Sequence, residues 1–97
     1  MKHVAPKIPV FEKYSQDNGF ELKLGRWQSV YSEGQKKLTI PVEMLTQGDY
    51  LWEFAKANIR AWDSPFESQH IEPAEVSRIV ERIQRFIELT GKSVRVY

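Results

Sequence analysis

Ninety-seven residues, 41% hydrophobic and 28% charged with twelve aromatics, are the profile of one folded domain and exclude a disordered chain. The absence of cysteine excludes a disulfide framework, a thiol nucleophile and a Cys-based zinc site. A net charge of +1 excludes a strongly basic nucleic-acid binder and a bulk acidic mimic of DNA, while leaving room for a local patch. Apolar runs of only a few residues predict no membrane span, and no secretory leader is visible, so the expected location is cytoplasmic.

Residues 1–18 carry Pro6 and Pro9 and show no clean period, which predicts an extended N-terminal arm ahead of a globular core over 19–97. Asp17-Asn18-Gly19 marks a turn. Phe20 to Leu24 alternates as a half-buried strand, and Arg26 to Ser32 is a second strand with Trp27, Ser29 and Tyr31 on one face. Glu33-Gly34-Gln35 supplies a hairpin turn into a third strand, with Leu38, Ile40 and Val42 inward and Pro41 at its end or edge. Glu43 to Gln47 reads as one helical turn. Tyr50 to Phe54 alternates again, and Ala55 to Ala61 extends it as strand with a bulge or bend. Asp63-Ser64-Pro65 is a turn, followed by an irregular loop to Ile71.

The clearest element is a helix over about 73–90. Pro73 suits its first position. Val76, Ile79, Val80, Ile83, Phe86, Ile87 and Thr90 form one buried face, and Gly91 closes the C-terminus. Glu81 with Arg85 and Glu75 with Arg78 are pairs on the solvated side. Ser93 to Tyr97 is a short final strand. The fold class is α+β: a two-layer domain, mainly an antiparallel sheet of four to five strands packed on one long C-terminal helix, then a terminal strand.

Chemistry is sparse. His3 and His70 fall on the N-terminal segment and in a polar loop, a poor setting for a positioned acid–base pair. No His, Asp and Glu spacing predicts a metal site, and no glycine-rich loop or nucleophile elbow predicts a phosphate cofactor or a serine hydrolase. No cofactor and no enzyme activity are expected. Trp27, Tyr31, Tyr50, Trp52 and Phe54 fit a core between sheet and helix better than a base-stacking platform, since the charge among Tyr50–Phe54 is Glu53. Trp62, between loop residues, is an anchor for its own loop or for a partner.

Charge is unevenly laid out. Residues 1–41 sum to +3, residues 42–75 to −5 and residues 76–97 to +3. The acidic middle is either a scatter of solvated carboxylates or a face for a basic partner, with Asp49, Glu53, Asp63 and Glu67 at strand ends and loops.

The segments Arg26-x4-Tyr31-x-Glu33-Gly34, Val42-Glu43-Met44-Leu45, Ile59-x-x-Trp62-Asp63-x-Pro65, and Glu72/Glu75 leading into Ile79-x-x-x-Ile83 resemble small bacterial immunity proteins. These belong to polymorphic-toxin and contact-dependent growth inhibition systems. The resemblance runs from about Gly25 to Val96 and leaves the N-terminal arm without a counterpart. It implies a cytoplasmic, non-enzymatic antitoxin that blocks the active site of a toxin domain at the C-terminus of a large secreted protein. Many such toxins are nucleases, one group similar to ribonuclease A, with basic sites that an acidic face would suit. Asp49, Glu53, Trp62, Asp63 and Glu67 are the expected toxin contacts. A small single-stranded nucleic-acid-binding module is the alternative.

Overall fold

A computed structural model describes residues 8–45 and 50–97. Its first sheet is the antiparallel meander that the alternation predicts. Strand β1 (Glu21–Lys23) pairs with β2 (Gln28–Glu33), and β2 pairs with β3 (Lys36–Pro41). The β2–β3 connection is the two-residue turn Gly34-Gln35, with Gly34 at φ 58°, a conformation natural to glycine. Leu22, Ser29, Tyr31, Leu38 and Ile40 point inward and are buried. Trp27 departs from the expected pattern. Strand β2 begins one residue after it, a bend at Arg26-Trp27 breaks the alternation, and its side chain is exposed.

The chain leaves β3 through a single residue, Val42, whose N–H donates to the Trp27 carbonyl at 3.0 Å. It then enters β4 (Glu43–Met44), which pairs antiparallel with β5 (Tyr50–Phe54). The expected helical turn from Glu43 is therefore corrected to a strand. Cross-strand pairing with β5 outweighs the helix propensity of so short a segment, a tertiary override of a weak local preference. Leu45 follows without regular structure, and residues 46 and 47 of that segment lie outside the described residues. Beyond β5 the expected strand extension is also corrected. Lys56–Asn58 forms a 3-10 turn, and only Ala61 keeps a β-bridge, to His70. The turn swings Ile59 into the core, where it is buried.

Strand β6 (Ser93–Val96) lies parallel to β5, which makes β5 the centre of a second three-stranded sheet. Parallel neighbours require a long crossover. Here it contains helix α2 (Pro73–Glu88), with Pro73 in its first turn and Gly91 at φ 88° just past its end. Val76, Ile79, Ile83, Phe86 and Ile87 are buried along one stripe, each contributing roughly 1.5–3 kcal/mol by leaving water. Val80 is half-buried and Thr90 is exposed. Glu75 and Arg78 approach to 3.8 Å as the spacing predicts, whereas Arg85 faces Glu88 at 3.5 Å instead of Glu81.

The expected extended arm is corrected over its second half: Val10–Asp17 is a helix, α1. Proline disfavours a helix interior, but Pro9 stands at the cap position, where it breaks no helical hydrogen bond. The helix is kept by packing. Phe11 meets Phe86 edge-on at 5.3 Å and Tyr14 meets Phe20 at 5.7 Å. Residues 1–7 of the arm lie outside the described residues. The α+β class stands, with six strands in two sheets among the described residues in place of four or five in one. No helix among the described residues is long and apolar enough to cross a membrane.

Candidate partner-binding surface

Two of the expected contact residues turn inward. Trp62 is 3% exposed and stacks on Tyr31 with ring centroids 6.4 Å apart. Of its two sequence readings, the structure supports the anchor of its own loop, and its ring offers nothing to a partner. Polar neighbours in sequence concealed this, because burial here is set by a strand far away in the chain. Asp63 does related work. Its carboxylate accepts the Thr39 N–H at 3.2 Å and the Thr39 hydroxyl at 2.6 Å, and its own N–H donates to the Lys37 carbonyl at 2.7 Å. The residue thus covers the open edge of β3, which would otherwise present unpaired backbone groups.

Glu53 is half-buried, with 21% of its side chain exposed. It stands on the outward side of β5, directly opposite Glu43 of β4, with Arg95 of β6 at 3.9 Å. Trp52 and Phe54, its neighbours in the strand, point the other way and are buried. Glu67 is exposed in the loop that follows Asp63. Asp49 lies outside the described residues. The structure therefore brings Glu53 together with Glu43, a residue the sequence reading had not singled out. Their register could be found only once β4 was known to be a strand.

A feature missed in the sequence adjoins this pair. Trp27 is 74% exposed, and Leu24 and Met44 are each 45% exposed. With Leu45 they surround a groove of about 740 Å³ over Trp52, bordered by Arg26 and Glu43. The Arg26 guanidinium lies 5.2 Å from the Trp27 ring centroid. Gly25, immediately before, was the available signal that the strand pattern breaks here.

The strongest electrostatic arrangement lies elsewhere and ties α2 to the β2–β3 hairpin. The buried Tyr31 hydroxyl donates to Glu33 Oε1 at 2.5 Å, and Arg82 Nη1 donates to both, at 3.0 and 3.1 Å. Arg78 reaches the same carboxylate at 3.1 Å. Burial, then the bond to Glu33, pushes the Tyr31 phenol well above its ordinary pKa, against the opposing pull of Arg82. Burial works against the charge on Arg82, but Tyr31 and Glu33 outweigh it and raise its pKa. These groups are mutually satisfied, which suits support better than turnover.

No group of three or more His, Cys, Asp or Glu among the described residues is arranged to hold a metal ion. His70 is exposed on its bridge to Ala61, and His3 lies outside the described residues. Tyr31, Trp52 and Phe54 are buried, so they give nucleobases no face to stack on.

What the surface offers is contact: an apolar groove beside paired carboxylates. Comparison with curated proteins and with solved structures gave no match. A family model, immunity protein 74, matches residues 21–96, from the first strand to the last. The chain belongs to the immunity protein 74 family, and is a bacterial antitoxin with a cognate toxin as its partner.

Proposed function

We propose that this antitoxin acts without chemistry of its own, by seating on its toxin and closing the toxin's active site, and that the toxin is a nuclease. The observation that carries the reading is the Glu43–Glu53 pair on the outward side of the second sheet. Like charges opposite one another on a sheet are destabilising. Arg95, 3.9 Å from Glu53 and itself largely exposed, offsets this only in part. A basic site built to hold phosphate offers both carboxylates better partners than water does. The meeting place is the cytoplasm of the producing cell, where a toxin delivered by contact-dependent growth inhibition would arrive on the C-terminal part of a large secreted protein.

The test uses the cognate toxic domain, mixed with the purified full chain while RNA and DNA cleavage are followed. Loss of cleavage at a one-to-one ratio is expected. The double reversal Glu43→Lys, Glu53→Lys should slow association by roughly tenfold at low salt, and less at high salt. A toxin that cleaves neither nucleic acid refutes the nuclease reading. Association unchanged by the double reversal refutes the role of the carboxylate pair.

A further inference from the structure

We propose that the groove at Trp27 is the anchor of the toxin interface: it receives an apolar side chain of the toxin whose flanking lysines or arginines face Glu43 and Glu53. This rests on the toxin-blocking reading above and assigns it a place on the molecule.

Three tryptophans share one small domain. Trp52 and Trp62 are 2% and 3% exposed, while Trp27 is 74% exposed. A lone exposed apolar residue is ordinary, but this one stands with Leu24 and Met44 around a common depression floored by Trp52. Its volume, about 740 Å³, is within the range of sites that bury a partner group.

The backbone holds Trp27 in place. Its carbonyl accepts the Val42 N–H at 3.0 Å, joining the bend to the crossing between the two sheets. A Cβ at Gly25 would stand 2.1 Å from the Gln28 carbonyl oxygen, so the bend closes on itself and accepts only glycine there. Arg26, 5.2 Å from the ring centroid, further limits its motion. A backbone already fixed at this bend leaves only the two side-chain torsions of Trp27 to be ordered on binding, and a large ring buried in a partner's pocket is a typical interface anchor. Charge decides the occupant. Glu43 borders the groove on the edge strand β4, across from Arg26, and its cross-strand neighbour Glu53 stands on the outward side of the same sheet, so a partner seated over the β4 edge reaches both carboxylates. An apolar residue set among basic ones fits both halves.

The experiment measures binding kinetics of the cognate toxic domain, inactivated in its catalytic site, to the full chain and to Trp27→Ala and Trp27→Phe. Trp27→Ala should weaken binding at least ~30-fold, mainly through faster dissociation, with Trp27→Phe in between. Because the ring is exposed, the thermal midpoint should move by no more than about 3 °C. Wild-type binding that Trp27→Ala leaves within about threefold overturns the groove alone. A wild-type dimer that Trp27→Ala dissociates, with toxin binding intact, overturns it in favour of a second copy as occupant. A wild-type chain that does not bind the toxin overturns the blocking reading and the groove with it.

Discussion

Glu33 is the acceptor on which the support of the hairpin converges, and replacing it with alanine tests that network. Three donors lose a carboxylate at once: the Tyr31 hydroxyl at 2.5 Å, Arg82 at 3.1 Å and Arg78 at 3.1 Å. Their weights differ. Arg78 is 43% exposed and finds water, so its share is no more than about 0.5 kcal/mol. Tyr31 is fully buried, and a buried hydroxyl left without its acceptor costs about 1–3 kcal/mol. Arg82, 18% exposed, keeps the Tyr31 oxygen and loses only part of its pairing. Together these give a loss of roughly 2–3 kcal/mol, a fall of roughly 8–24 °C in melting temperature for a domain this small. Urea unfolding followed by tryptophan fluorescence measures it, with Arg78→Ala as the control expected to cost about 0.5 kcal/mol or less. A Glu33→Ala loss below about 0.5 kcal/mol would refute the reasoning, since it would mean that the buried phenol needs no acceptor.

Asp63→Ala frees the Thr39 N–H and hydroxyl at the edge of β3, and should cost about 1–3 kcal/mol in urea unfolding; an unchanged midpoint would show that water replaces the clamp. Ser29 has a buried hydroxyl with no partner among the described residues, so Ser29→Ala should raise stability by about 0.5–1 kcal/mol, and a lowered midpoint would contradict that. The raised pKa of folded Tyr31 gives a stabilisation that is fully present below about pH 10, the unfolded value, and is lost as pH rises through the higher folded one. Unfolding midpoints of wild type and Tyr31→Phe taken from about pH 8 to 11 should therefore converge, the variant lacking that part of the alkaline decline. Parallel curves would refute it.

Periodicity made the hairpin, the fifth strand and α2 legible, because each buries a face that repeats in the residues themselves. It failed where the deciding partner is remote. Pro6 and Pro9 concealed α1, which exists because Phe11 finds Phe86. Glu43-Met44 looks helical until β5 lies beside it. The same division runs through the site. Composition revealed an acidic middle segment and so Glu53, but not which carboxylates are free. Asp63 is spent on Thr39, and Trp62 is packed on Tyr31. Alternation places Trp27 inward with Ser29 and Tyr31, but β2 begins one residue later, at Gln28. The residues that carried the family resemblance include Tyr31, Glu33, Trp62 and Asp63, and all four hold the scaffold together.

The passage of the chain from one sheet to the other through Val42 alone has a consequence for how the domain breathes. Lifting β4 from β5 strains the bond between Val42 and the Trp27 carbonyl, and with it the bend before β2. Opening one sheet should therefore disturb the other, and amide exchange in both is expected to follow a shared opening. A partner gripping Trp27 holds that junction shut. Its binding free energy should then reappear as slower exchange in the β2–β3 hairpin, on strands it never touches.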